Sequence, residues 1–436
     1  MTRWQNWSGG VTATPERIER PETDEQLQTV VTDAVERGDT VRVAGSGHSF
    51  TPVVPSDNTL ISLDRYTGIV DIDPDAMQAT VRAGTTLEHL TRKLREYGLA
   101  MENLGDIDKQ SIAGAFSTGT HGTGLDFGVL PTQASAFRIL TADGEFITVS
   151  EGDDAFPAAQ VSLGTLGVIT EITIDLVPAY DICLRRRTLP LDDVLDNPEQ
   201  FHGEHRNWEF FWFPHTDRAL VKLFDTVPPG AGGVKDGEGV GELVESVGAR
   251  VENAAWEALC RLGTRYPNTA SVGSRLAAAT LSNKTDVGPS HEIYAHARNV
   301  RFNETEHGVP AEALPDVVRE IRAYIDSVDV PVQFPLECRF VGGDDPYLSP
   351  AYGRDSGFIA AHTYYQKEIP GYFETCEGIF DGYDGRPHWG KQHSKTATQL
   401  KHLYPKWDAF HATRREFDPD GVFLNDHLRD VLVDEQ

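Results

Sequence analysis

Three glycine-rich stretches in the first 170 residues have the composition needed to hold a phosphate-bearing ligand. Gly45-Ser46-Gly47-His48-Ser49-Phe50 directly follows a β-rich run. Two glycines two apart let the backbone turn tightly and aim its N–H groups at an anion. Taken alone, a turn with a surface histidine explains this stretch equally well. The second, GDIDKQSIAGAFSTGTHGTG from Gly105 to Gly124, places small residues on one face of a short helix and hydroxyls at Ser117, Thr118, Thr120 and Thr123. Such a segment lets the backbone approach a flat, pyrophosphate-bearing ligand, with helix N-terminal amides turned to the anion. The third, SLGTLGVIT (162–170), again sets glycines against a strand. Neither GxxxxGK[ST] nor a GxGxxG opening a βαβ unit occurs, which disfavours a P-loop and a Rossmann site. Three such segments in one region are hard to explain by packing alone.

A second set of reactive residues lies later in the chain. Glu337 and Arg339 stand two apart on an expected strand, so both side chains point to one face. A carboxylate beside a guanidinium can bind vicinal hydroxyls and deprotonate one of them. A surface ion pair, worth little, is the alternative. Lys391, in RPHWGK, can stabilise developing negative charge, or can be a plain surface lysine, in a chain with only ten lysines. His362 follows the apolar FIAA and suits either an active site or a core. His388 and His393 are five apart with no carboxylate at ligand spacing, so no metal is expected. Trp208, Phe210, Phe211, Trp212 and Phe213 suit a strand packed against another domain better than a sugar-stacking surface.

These residues need elements to position them. Leu27, Val30, Val31, Ala34 and Val35 form one stripe of a helix over 24–37 that ends at Gly38. Strands are expected at 40–45, 59–63, 68–72 and 78–83, then a helix over 86–97 opened by a Thr85/Glu88 capping box. Strands at 145–149 and 167–177 complete an α+β unit with a mixed sheet. Beyond Pro178 the texture changes. An aromatic strand (209–214), a Gly-rich acidic loop (228–243), a helix (311–327), strands at 332–340 and 358–366, and an amphipathic tail (397–417) ending in the turn DPDG are expected. At 436 residues the chain is long for one core, so two domains are expected, 1–178 and 179–436.

Composition narrows the partners. Lys+Arg total 39 against Asp+Glu 67, a formal charge of -28, with 29 of the basic residues arginine. That balance argues against nucleic acid or an anionic membrane as partner, since both demand a basic face. An acid-rich, lysine-poor surface suits concentrated salt, where self-repulsion is screened, and points to a halophilic source. Cys183, Cys260, Cys338 and Cys376 have neither disulfide-framework nor zinc spacing. With no signal-peptide core and no apolar run of membrane-spanning length, a cytoplasmic protein is expected.

The motifs RVAGSGHSF, NLGDIDKQSIAGAFSTGTHGTG, SLGTLGVIT, FFWFPHTDRAL, FPLECRF, GRPHWGK and DPDGVFLN, in this order, resemble one family. It is the aldonolactone oxidase branch, near the alditol oxidases, of the PCMH-type FAD-linked oxidases of the vanillyl-alcohol-oxidase superfamily. The resemblance implies an α+β fold: a two-subdomain PCMH-type FAD-binding domain, then a cap domain with an antiparallel sheet and flanking helices, 397–436 packing back on the FAD domain. It implies FAD bound covalently through His48. Gly45, Ser46, Gly47, Ser49, Gly105, Ser111, Gly114, Thr118, Gly119, Thr120, His121 and Ile169 would surround the cofactor. Glu337, Arg339 and Lys391 would be catalytic, with Asp106, His362 and Tyr364 facing the substrate. The implied reaction removes hydride from the CH–OH carbon of a gulono-, galactono- or arabinono-1,4-lactone to flavin N5. Gly105 leaves room for oxygen as acceptor. Tyr364 stands where alditol oxidases tend to have threonine, which favours a lactone or cyclic sugar over an alditol or open aldose. The rivals are a flavin-free nucleotide-binding protein, which would be colourless, and a catalytically idle flavoprotein.

Overall fold

A computed structural model describes residues 3–230, 256–266, 269–295 and 300–433. Near the N-terminus, strand β1 (Arg17–Glu19) leads into helix α1 (Asp24–Glu36), which starts at Thr23, whose hydroxyl accepts the Gln26 amide. Leu27, Val31 and Ala34 form its buried stripe. Strands β2 (Val41–Ala44) and β3 (Thr59–Ser62) follow, and the three form a parallel sheet in the order β1-β3-β2. Strands β4 (Ile69–Asp73) and β5 (Gln78–Arg82) pair as a hairpin, and helix α2 (Leu87–Glu96) follows them.

Helix α2 is capped by Thr86, not Thr85. The Thr86 hydroxyl accepts the His89 amide, while Thr85 accepts the Gly68 amide at 2.9 Å and ties the open end of the hairpin. Short helix α3 (Ile112–Ser117) precedes β6 (Ala134–Leu140), β7 (Phe146–Ser150) and β8 (Val168–Asp175). These build an antiparallel sheet, β7-β6-β8-β5-β4. The single mixed sheet expected from sequence is therefore two sheets. The parallel strands need long crossover connections, helix α1 in one and residues 45–58 in the other, and the hairpins do not.

An antiparallel sheet of eight strands follows: β9 (Asp181–Pro190), β10 (Asn207–Trp212), β11 (Arg218–Val227), β12 (Lys284–Pro289), β13 (Phe302–Pro310), β14 (Leu336–Val341), β15 (Ser356–Tyr364) and β16 (Arg386–Pro387). Its order is β12-β9-β11-β10-β14-β15-β13-β16. One face buries Trp208, Phe210, Trp212, Leu336, Cys338, Phe340 and Ile359 against Val317, Val318, Ile321 and Ile325 of helix α4 (Leu314–Val328). Strand periodicity then turns Glu209, Glu304, Glu306, Glu337, Arg339 and His362 to the other face.

That polar face meets the glycine-rich segment 105–124. The Gly124 amide donates to Phe340 O at 2.6 Å, and the Thr123 hydroxyl donates to Trp208 O at 2.5 Å. After the sheet, helices α5 (Ala397–Leu403), α6 (Trp407–Phe417) and α7 (Asp426–Leu432) pack into the core of the N-terminal sheets. The Val41 amide donates to Val422 O, and Asn425 Nδ2 donates to Pro52 O and Pro55 O, both at 2.8 Å. Within DPDG, the Asp418 carboxylate accepts the Val422 and Phe423 amides. From residue 231 onward, the acidic stretch 228–243 lies outside the described residues.

Candidate functional site

A cavity of about 810 Å³, part of it open to solvent, runs between the two N-terminal sheets. The turn Gly45–Ser49 lines it after β2, together with Ser111, Gly114 and Thr118 around α3, and Gly164, Gly167 and Ile169 leading into β8. Small residues are needed here. A Cβ on Gly45 would stand 2.1 Å from Ser111 Oγ, and one on Gly114 2.9 Å from the same atom. Gly47 has φ +73°, a conformation side chains rarely adopt. Buried Arg42 fastens this wall, its guanidinium donating to the carbonyls of Val53, Leu163, Gly164 and Phe423. Glycine backbone, hydroxyls and an apolar floor form a cradle that fits a dinucleotide flavin.

His48, Ser49, Gln110 and Thr118 also line a second cavity, of about 570 Å³, so the two are adjacent and share a wall. Gly105, Asp106, Thr120, His121, Glu306, Arg339, His388 and Lys391 line this second space. Its charges are linked. Arg339 Nη2 holds the Glu337 carboxylate and lies 3.2 Å from Asp106 Oδ2, and its Nε donates to Glu209 Oε2 at 2.9 Å. Glu209 in turn accepts from Lys222 Nζ at 2.7 Å. Lys391 Nζ donates to Glu304 Oε2 at 2.5 Å and lies 3.8 Å from Glu306 Oε2. His362 Nε2 is 3.5 Å from Glu304 Oε1 and 3.9 Å from Glu337 Oε2. Except for Lys391 and Asp106, these side chains are about nine-tenths buried.

Burial alone would neutralise such groups, and their partners oppose it. Burial pushes Arg339 down, yet Asp106, Glu337 and Glu209 together hold it well above its ordinary value. Burial pushes Glu306 up, but Lys391 and His121 outweigh it and hold the carboxylate well below its usual range. Glu304 is lowered in the same way, chiefly by Lys391 and then His362. Lys391 is raised: burial works against its charge, and Glu304 and Glu306 restore it. His48 is pushed down to about 4 by burial, helped by the Lys391 charge, and burial takes His388 to about 3. The site therefore holds fixed cations and anions beside the neutral imidazoles of His48 and His388.

Glu337 and Arg339 are not a surface pair: β14 carries both on the buried polar face, and Glu337 reaches the cavity through Arg339. Glu337 and His362 line neither cavity but contact Arg339 and Glu304, and two further expected site residues stand apart. Tyr364 lies two residues beyond His362, a further 6–7 Å along the strand, and its hydroxyl donates to Glu257 Oε1 at 2.5 Å among Phe302, Phe334 and Cys260. Gly119 (φ +68°) turns the chain after α3, with Pro350 and Val161 about it. Glu209, Lys222, Glu304 and Glu306 were not singled out by sequence. The signals are a carboxylate inside the aromatic run NWEFFW and the alternation Glu304-Thr305-Glu306.

His121, Glu306 and His388 each offer a ligand atom, all within 4.8 Å of one another. His388 Nδ1 accepts the Gly390 amide at 3.0 Å, which places the ring hydrogen of a neutral imidazole on Nε2. That tautomer suits hydrogen bonding better than metal ligation. His393 lies elsewhere, against Trp389 and His427.

Comparison with known proteins gives a consistent picture. Residues 172–431 match a family described as D-arabinono-1,4-lactone oxidase, and residues 15–150 match an FAD binding domain. An L-gulono-1,4-lactone dehydrogenase of Mycobacterium tuberculosis is 38% identical over 98% of this chain and 99% of its own length. An L-gulonolactone oxidase of Bos taurus is 31% identical over 99% and 98%. Among solved structures, a cholesterol oxidase from B. sterolicum superposes with a TM-score of 0.79 over 99% of this chain and 96% of its own, at 17% identity, a likeness of fold.

Proposed function

The chain belongs to the D-arabinono-1,4-lactone oxidase family, and from that we propose that it is an FAD-dependent oxidoreductase that oxidises a CH–OH group of an aldono-1,4-lactone. The adjacency of the glycine-lined cavity to the charged one supports this most directly, because His48, Ser49, Gln110 and Thr118 line both. Residues 1–178 are the FAD-binding domain in this proposal and 179–436 the cap domain. Bound FAD supplies a hydride acceptor at N5. The chain's own residues do the rest. Arg339 and Lys391 orient the substrate hydroxyl and stabilise negative charge that develops on its oxygen. Glu337, anchored by Arg339, takes the hydroxyl proton. Asp106, beside Arg339, and Thr120 and His121 offer further hydrogen bonds to a polyhydroxylated ring.

His48 is the proposed point of covalent attachment to the flavin's 8α-methyl group. Gly105 lines the charged cavity, and an added Cβ would crowd His121 O at 3.2 Å; molecular oxygen is the proposed acceptor. One relative named a dehydrogenase and one named an oxidase support the same chemistry with different acceptors. A halophilic, cytoplasmic enzyme is part of the proposal, supported by the charge of -28; no helix among the described residues is long and apolar enough to cross a membrane. An alditol or aldose remains the second substrate class, since the cavity's hydroxyl-binding groups do not require a closed ring.

The test is anaerobic mixing of the purified yellow protein with gulono-, galactono- and arabinono-1,4-lactones, alditols and aldoses. Flavin bleaching by a lactone is expected. Glu337→Gln should slow it about 10²–10⁴-fold, the usual worth of a positioned base, with flavin content unchanged. A protein bleached only by alditols would move the substrate to the second class, and one bleached by none would overturn the proposal.

A further inference from the structure

Two carboxylates of β13, Glu304 and Glu306, have no role in the proposed reaction; Glu306 lines the charged cavity, and Glu304 holds Lys391, which also lines it. Their positions follow from the strand. Glu304 pairs across to His362 and Glu306 to Ala360, so both point to the face that carries Glu337 and Arg339. Glu304 is the branch point. One oxygen accepts from Lys391 Nζ at 2.5 Å, and the other lies 3.5 Å from His362 Nε2. The orientation of His362 is fixed from behind. Its Nδ1 lies 3.2 Å from Pro335 O, and a carbonyl only accepts, so Nδ1 carries a hydrogen and Nε2 is the nitrogen turned to Glu304 and to Glu337, 3.9 Å away. Glu337, His362, Glu304 and Lys391 thus form one chain of buried contacts.

Resting on the reaction proposed above, we infer that Glu304 is the positioning residue that couples the proton-accepting end of the site to its cationic end. It fixes the Lys391 ammonium in the cavity and, through Nε2 of His362, constrains the Glu337 carboxylate. Glu306 is placed differently: it is 3.8 Å from Lys391 and is engaged with His121 Nε2 at 3.4 Å. Three permanent cations, Lys222, Arg339 and Lys391, face five carboxylates, Glu209, Asp106, Glu304, Glu306 and Glu337. Among those carboxylates, Glu304 contacts both His362 and Lys391.

Removing the Glu304 charge therefore has a defined consequence. Lys391 is faced by Glu304 and Glu306 from β13, by Asp106 from the 105–110 segment, by His48 from the glycine-rich turn and by His388 from its own loop. Its ordinary value is raised because the carboxylates outweigh burial, with Glu304 the strongest of them. Without that charge burial gains, and Lys391 loses its proton at lower pH.

The experiment uses the full-length flavin-loaded protein with Glu304→Gln and Glu304→Asp. Two quantities are read in parallel. One is the pH profile of flavin reduction by the best lactone. The other is the pH dependence of acylation of Lys391 by a small anhydride, followed by mass spectrometry. For Glu304→Gln the expected result is at least about a tenfold fall in kcat, the cost of misplacing a charge-stabilising group, with little change in KM. The alkaline limb of the profile and the Lys391 labelling curve should both move to lower pH. Glu304→Asp keeps the charge and should keep both curves in place, with kcat between wild type and Gln. A fall in kcat without movement of both curves would mark Glu304 as merely structural and overturn the inference, as would a shifted labelling curve with unchanged kcat. Wild-type flavin that no sugar reduces would instead sink the reaction on which the inference rests.

Discussion

A neutral imidazole is a nucleophile and an imidazolium is not, so the surroundings of His48 decide whether it can bond to a flavin. Burial, with the Lys391 charge behind it, holds the ring at about 4, which keeps it neutral over the whole physiological range. Its ring stacks on Trp7 at 5.7 Å between centroids, where both cavities meet. The expected outcome is that acid precipitation leaves the yellow colour in the wild-type pellet, while His48→Ala releases it to the supernatant with bound flavin otherwise retained. Colour released from both proteins would remove the covalent bond from the proposal and leave the cofactor. At this scale the sequence was legible where chemistry leaves a local mark. Gly45-x-Gly47-His48 and Glu337-x-Arg339 stand out because their spacing has a geometric meaning. Glu209, Glu304 and Glu306 did not, because a lone carboxylate in a sequence is far more often a solvated surface charge than a buried partner. What makes them part of the site is pairing with residues 87 and 130 positions away, which no local pattern records.

Among elements, those with a buried and an exposed face were read well. Helix α1 has its stripe at Leu27, Val31 and Ala34, and β8 alternates as expected. Strand β13 was not read as a strand at all. Its sequence FNETEHGVP puts carboxylates on the face turned to the site, so the hydrophobic alternation that announces a strand is missing. The single mixed sheet was misread for a related reason: strand periodicity says what each strand buries, not which neighbour it pairs with. Loop residues that join elements are equally silent in sequence. Asp344 is one. It follows β14, accepts the Val129 amide at 3.1 Å and the Ser349 hydroxyl at 2.9 Å, and so ties the eight-stranded sheet to the segment beyond the glycine-rich stretch. Burial raises its carboxyl to about 6, more than those hydrogen bonds lower it. The native state thus binds this proton more tightly than the unfolded chain. The favourable contribution is fully present below about pH 4, the ordinary value for an aspartate, and is lost as pH rises through 6. A shift of about two units corresponds to about 3 kcal/mol. Asp344→Asn cannot ionise, so its stability relative to wild type should grow between pH 4 and pH 7 by up to about 3 kcal/mol and then level off. Parallel denaturation curves across that range would show that the carboxyl is not perturbed.

At the scale of the whole molecule the dominant fact is a formal charge of -28 on 436 residues. Few of the acids responsible belong to the site. Exposed side chains such as Asp316, Asp196, Asp192 and Glu22 are paired with arginines at the surface, and such pairs are worth little each. Excess negative charge destabilises the compact state, since unfolding spreads it apart. Salt acts on the two populations differently. The Debye length shrinks from about 10 Å at 0.1 M to about 3 Å at 1 M, so repulsion between surface carboxylates is largely removed. The buried chain from Lys222 through Glu209 and Arg339 to Glu337 lies out of reach of mobile ions and changes little. The melting temperature should therefore climb between 0.1 and 1 M KCl, by about 1 °C for each kcal/mol of relieved repulsion. The rate of flavin reduction per folded molecule should stay nearly constant, because the charges that perform the chemistry are the screened-off ones. A melting temperature that is flat or falls over that range would mean that the acidic surface is already balanced by its own arginines, and the proposal of a high-salt protein would fall with it. A rate that changed steeply with salt at constant folded fraction would instead place the catalytic charges in contact with solvent, against their burial beneath the glycine-rich segment.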